Sequence, residues 1–202
     1  MSRSATVVPL PTAGTDLTRG GLSARQARTV QRLTDAALDE LRVAGYDGLT
    51  VRNVARRAGV APATAYSYFT SKDHLVTEVF WRRLSSLPET DHDRSGDVTD
   101  RLDDALSDLL LLVADEPELA SACSIAMLAP DPDVKELRDR VGNEMHRRVA
   151  EALGPDGDPL RTTMVDLIVT GALVRVGMGH LSYDELPELV SAVSRLITGS
   201  YR

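Results

Sequence analysis

Apolar positions recur along this chain at intervals of three and four residues, and no stretch alternates with period two. From Ser23 to Ala44, Val30, Leu33, Ala37, Leu38 and Leu41 share one helical face, with Ser23 as N-cap and Gly45 as the stop. Thr50 precedes Val51, Val54, Ala55 and Ala58, an i, i+3, i+4, i+7 set that predicts a short amphipathic helix ended by Gly59. Pro62 opens a second short helix reaching to about Phe69, since proline suits the first helical turn. Ser71 caps a third, whose Leu75, Val76, Val79, Phe80 and Leu84 run to about Ser86. Beyond a polar, acidic linker at 87–97, five further helices are predicted near 98–114, 117–128, 132–153, 159–181 and 184–199, separated by turns rich in Pro, Asp and Gly. Residues 1–22 mix Pro, Gly, Ser and Thr and predict a disordered arm. The expected fold is all-α, with about nine helices and short loops that favour antiparallel neighbours. It divides into the arm, a three-helix unit at 23–70, a connecting helix at 71–86 and a helical domain at 87–202.

Helices 51–58 and 62–68, joined through Gly59, have the form of a helix-turn-helix. The inward face of the first is small (Val54, Ala55, Ala58), so the two can cross closely. Gly59 permits the bend, where a side chain would cost energy. Val60 plugs the corner and Phe69 anchors the far end. The first turns of the second helix are left outward, able to enter a DNA major groove roughly 12 Å wide. That helix reads PATAYSY and holds no Arg, Lys, Asn or Gln, so it cannot make bidentate contacts to guanine or adenine. Ala61, Ala63 and the Thr64 methyl suit thymine methyl groups, and Thr64 and Ser67 add hydroxyls.

The residues Thr50, Val54, Ala55, Ala58, Gly59, Val60, Thr64, Tyr66, Phe69, Lys72 and Leu75, in one fixed spacing, resemble the DNA-binding signature of the TetR family of bacterial one-component repressors. The resemblance covers about residues 24–80; the rest agrees in length and helix count. It implies that the amides of the helix capped by Thr50 meet a phosphate. It implies that Tyr66 and Tyr68 offer hydroxyls to the DNA backbone, and that the Lys72 charge pairs with a phosphate. The other reading of Tyr66 is a core tyrosine with its hydroxyl at the rim, and of Lys72 a solvated lysine. Guanine reading falls to Arg52, which otherwise touches a phosphate or stays free on the surface. The arm, with Arg19, Arg25 and Arg28 nearby, either adds a DNA contact or does nothing.

Charge and composition sharpen this picture. Residues 1–86 carry 12 Lys and Arg against 7 Asp and Glu, whereas 87–202 carry 11 against 23, so a basic front meets an acidic rear. Apolar residues make up 43% and aromatics only 4%, so the core is built from Leu, Val, Ala, Ile and Met. A single cysteine, Cys123, excludes an internal disulfide and suits a reducing interior. No apolar run reaches membrane-spanning length, and the first 20 residues lack an apolar signal core, so a cytoplasmic protein is expected. None of His74, His92, His146 and His180 stands in metal-ligand spacing with another His or Cys, and Cys123 has no histidine beside it in sequence; neither catalysis nor a cofactor is expected.

A lone helix-turn-helix binds weakly, and paired copies make a specific site. The segment 164–181 is apolar around most of its circumference, and the last helix carries Leu186, Leu189, Val190, Val193, Leu196 and Ile197 at helical spacing. In the TetR family the last two long helices of each subunit form a four-helix dimer bundle. By that resemblance Gly171, Val174, Met178, Leu189, Val193 and Leu196 face a second copy; otherwise they are ordinary core. The helices of 98–153 would enclose an effector pocket, lined by aliphatic and methionine side chains that suit a flexible or alicyclic hydrophobic molecule. Leu109, Met127, Met164, Asp166 and Thr170 are its candidate residues. Asp166 and Thr170, one turn apart, either orient a ligand hydroxyl or bond to each other. The resemblance thus implies a regulator that binds a palindromic double-stranded operator as a homodimer and is released by a small hydrophobic effector. The alternative is a helical protein-interaction module that uses the same bend without DNA.

Overall fold

The computed structural model describes residues 23–89, 97–155 and 157–199. The expected arm at 1–22, with Arg19, and most of the acidic linker, with His92, lie outside the described residues. Among those described there are nine α-helices and no strand. They are α1 (Ala24–Gly48), α2 (Val51–Arg57), α3 (Pro62–Tyr66), α4 (Lys72–Ser86), α5 (Val98–Leu110), α6 (Pro117–Ala126), α7 (Pro132–Leu153), α8 (Pro159–Gly177) and α9 (Leu186–Thr198), with a 3-10 turn at Tyr183–Glu185 before the last. No helix is long and apolar enough to cross a membrane among the described residues.

Local chemistry explains the boundaries. Ser23 accepts the Gln26 amide while Gln26 accepts the Ser23 amide, a reciprocal box that starts α1. Thr50 and Ser71 accept the amides of Asn53 and His74 and so start α2 and α4. Prolines occupy the first turns of α3 and of α6 to α9. Several helices end earlier than the apolar spacing predicts, α5 and α8 by the widest margin. α5 stops at Leu110 because the chain must turn before Glu116, which precedes a proline and is held non-helical. α8 stops at Gly177 because Gly179 turns left-handed (φ +72°), and the amides of Gly179 and His180 close back onto the carbonyls of Val176 and Arg175.

One continuous apolar core runs through the molecule, from Val30 in α1 to Ile197 in α9. α1, α2 and α3 pack around Leu33, Val54, Ala55, Ala65 and Phe69, all fully buried. α4 lies against α1 on one side and against α6 and α7 on the other, so it belongs to both halves. α5 packs on α7 and α9, and α6 on α8. The α6–α8 crossing is tight: a Cβ on Gly177 would lie 1.9 Å from Ser124 Oγ and 2.7 Å from the Ala120 carbonyl. The missing side chain at Gly177 is what lets α6 and α8 of the same chain approach this closely.

Candidate nucleic-acid interface and apolar cavity

The short inward residues of α2 let it cross α3 closely, and the turn between them is fastened from outside. Gly59 sits at φ +62°, a conformation that disfavours any side chain. The Arg32 guanidinium of α1 donates to the carbonyls of Ala58 and Gly59 and so holds the bend. Arg32 was illegible in sequence, since an arginine on the polar face of a helix reads as solvated. With the bend fixed, Ala61, Pro62, Ala63 and Thr64 form an exposed edge, and Ala65 and Phe69 are buried beneath them. Tyr66 is 47% exposed, so the core-tyrosine reading does not fit it. Tyr68 is half-buried against the core, and the Ser67 hydroxyl donates to the Thr64 carbonyl at 2.7 Å.

Charge on α1 and α2 is selectively free. Arg57 is spent on the nearly buried Glu40 (2.7 Å). Arg25, Arg28, Arg52 and Arg56 are exposed, and no carboxylate pairs with them among the described residues. Lys72 is not a loosely solvated lysine. Its ammonium lies 3.9 Å from the centre of the Tyr46 ring and donates to the Tyr46 carbonyl at 3.0 Å. Tyr46 in turn donates its hydroxyl to Asp73, and burial together with that carboxylate pushes its pKa up. Lys72 is thereby pinned where α1 meets α4, one helix start away from the exposed edge.

A cavity of about 210 Å³ lies between α6, α7 and α8, with Phe80 of α4 also in its wall. Its wall is almost wholly apolar, supplied by residues such as Met127, Val141, Met145, Leu173 and Val176. The polar groups in the wall are mostly engaged elsewhere. Tyr183 donates to the Val113 carbonyl (3.1 Å), and burial pushes its pKa up to about 12. Ser124 donates to the Ala120 carbonyl, and burial pushes the Cys123 thiol up, so it is held protonated. Two of the expected ligand residues, Met127 and Thr170, line this cavity; three do not. Leu109 is sealed in the core at 1% exposure, and Met164 projects outward from α8. Asp166 pairs with His146 of α7 (Nδ1 to Oδ2 2.6 Å) and not with Thr170 one turn away. Arg138 and Gly142, one turn apart on α7, also line the cavity. Nothing in the sequence singled them out, because α7 is rich in charge throughout.

Polar links tie the cavity helices to the helix-turn-helix unit and α4. Glu116, at the head of α6 and 4% exposed, receives Arg42 of α1 and Arg83 of α4 (3.3 Å). At the head of α7, Asp131 accepts from Ser71 (2.8 Å) and Asp133 from Thr70 (2.7 Å). His74 stands beside Asp133 at 3.7 Å and accepts the Thr70 amide. α8 exposes Leu160, Met164 and Leu167, Met178 just past its end is exposed as well, and α9 exposes Leu196. Of the residues expected to face a second copy, Gly171, Met178 and Leu196 are exposed, and Leu189 is partly covered. Val193 is buried within the protomer, and Val174 turns toward the cavity.

Comparison with known proteins agrees with this architecture. The family described as bacterial regulatory proteins, tetR family, matches residues 33–79. An uncharacterised HTH-type transcriptional regulator of Mycobacterium tuberculosis is 42% identical over 86% of this chain and 82% of its own length. The HTH-type transcriptional repressor KstR of Rhodococcus jostii is 30% identical over 75% of this chain and 70% of its own. Among solved structures, the regulator FadR of Bacillus subtilis in complex with stearoyl-CoA superposes with a TM-score of 0.64. It covers 85% of this chain and 99% of its own at 20% identity, a likeness of fold.

Proposed function

The chain belongs to the TetR family of bacterial transcriptional regulators, and on that premise we propose that it is a cytoplasmic repressor that grips a palindromic operator as a homodimer and lets go when a small hydrophobic effector fills the cavity. The observation that carries this reading is the exposed edge Ala61–Thr64 with exposed Tyr66 beside it and exposed Arg52 and Arg56 on the preceding helix, in a molecule whose other half holds an apolar cavity. Thr50, Tyr66, Tyr68 and Lys72 position the protein on phosphates, while Ala61, Ala63 and Thr64 meet thymine methyl groups. Arg52 supplies the one guanine contact per half-site. The apolar rows of α8 and α9 bring two copies together, which sets the spacing of the two α3 helices. That the Rhodococcus jostii relative is a repressor favours repression.

Release needs only that the ligand favour one of two arrangements by about 1–3 kcal/mol. α6 and α7 carry both the cavity wall and the carboxylates that hold α1 and α4, so displacing them loads the links at Glu116, Asp131 and Asp133. An electrophoretic shift assay on the DNA upstream of the chain's own gene tests the reading. Binding is expected to be sequence-specific and to weaken steeply with salt, and Arg52→Ala is expected to relax preference at one base pair per half-site. Retained self-association without any salt-dependent DNA binding would instead identify a protein-interaction module.

A further inference from the structure

Within the cavity wall, one side chain among those described carries a charge, and its donors are largely unspent. Arg138 gives one N–H, from Nη1, to the Met127 carbonyl at the end of α6 (2.5 Å). No carboxylate pairs with it among the described residues, although its neighbours on α7 are fully paired: Lys135 with Asp139, Arg147 with Glu144 and Glu151, and Arg148 with Glu144. A guanidinium has five N–H donors, so the Nε and Nη2 edge is left without a protein acceptor among the described residues. That edge matches the two oxygens of a carboxylate, and in an apolar surround such a pair is strong and specific. Gly142, one turn further along α7, has nothing within 4 Å of where its Cβ would stand. A glycine inside a long helix costs roughly 0.5–1 kcal/mol against alanine. Here it leaves a gap beside the arginine through which a ligand can reach it.

We propose that the effector is an apolar acid: a compact hydrocarbon body seated against Met127, Val141 and Met145, ending in one carboxylate that Arg138 receives. This deepens the effector reading above and rests on it. A cavity of 150 Å³ holds one benzene, so one of about 210 Å³ holds a body of roughly eight carbons. A medium-length or alicyclic acid fits, and an unbranched long chain would have to protrude. The same arginine explains how the head group is felt at a distance. Its bond to Met127 fastens the turn between α6 and α7, and that turn leads into Asp131 and Asp133 at the head of α7, which accept from Ser71 and Thr70. A carboxylate that draws the guanidinium inward competes with the Met127 carbonyl.

The test is calorimetric titration of the full chain with octanoate, octan-1-ol and octylammonium, which share a body and differ in the head. Octanoate is expected to bind at least about tenfold more tightly than octanol, the range for a hydrogen bond to a charged group, and octylammonium more weakly than either. Arg138→Gln should bring octanoate down to the affinity of octanol and leave octanol unchanged. Arg138→Lys, which keeps the charge and a donor for Met127, should recover part of the preference. Equal affinities for octanoate and octanol in the unaltered chain, or a preference that survives Arg138→Gln, would overturn the acid inference. If octanol still bound in that case, and Gly142→Leu abolished it, the cavity reading would stand. Absence of binding by all three would overturn both.

Discussion

A Cβ on Gly59 would lie 3.0 Å from the Arg32 guanidinium, in a left-handed backbone conformation that costs an L-residue about 1–2 kcal/mol. Gly59→Ala is therefore expected to lower the unfolding free energy by about that amount in urea denaturation, and to loosen the edge formed by Ala61–Thr64. Gly59 could be read from its place between two short apolar sets; Arg32 could not, because its acceptors are brought to it only by folding. His74 shows a second effect of tertiary placement. Burial lowers its pKa below the ordinary 6.5, and Asp133, Asp131 and Glu136 offset this only in part. Below about pH 6.5 the unfolded chain takes up a proton that the folded chain resists, so stability falls as pH drops through that window. The midpoint of urea unfolding should decrease between pH 7.5 and 5.5, and His74→Gln, which cannot titrate, should show a smaller decrease.

At the scale of the helix, α6 and α8 cross where Gly177 meets Ser124 and the Ala120 carbonyl. Gly177→Ala should force the helices apart and cost about 1–3 kcal/mol, the range for an overpacked core. Adding Ser124→Ala should restore only part of this in thermal unfolding, since the carbonyl cannot move aside. The helices themselves were legible in the sequence: α7 spans the predicted 132–153, and caps such as Ser23, Thr50 and Ser71 act where their side chains suggest. What escaped was which face each helix turns to which neighbour. Leu109, Val174 and Val193 obey helical spacing perfectly well, yet spacing gives a face without saying whether it meets core, cavity or a second copy. Met164 and Asp166 were misplaced for the same reason, one rotated outward and the other drawn to His146.

For the molecule as a whole, the outward row on α8 is the feature most easily challenged. Leu167 is 69% exposed, so Leu167→Glu should leave the protomer's unfolding free energy within about 0.5 kcal/mol. Sedimentation should nevertheless shift toward a single chain of 21.9 kDa, with operator affinity lost in proportion. The uneven sharing of charge between the two halves, read first as arithmetic along the chain, acts in three dimensions as an orienting torque. Phosphates attract the arginine-bearing end and repel the acidic one, so a protein drifting toward a duplex is turned before it touches, and few collisions are wasted on the wrong pole. Because this field reaches only about 8 Å at physiological salt, the alignment belongs to the final approach, and rising ionic strength should slow arrival before it hastens departure.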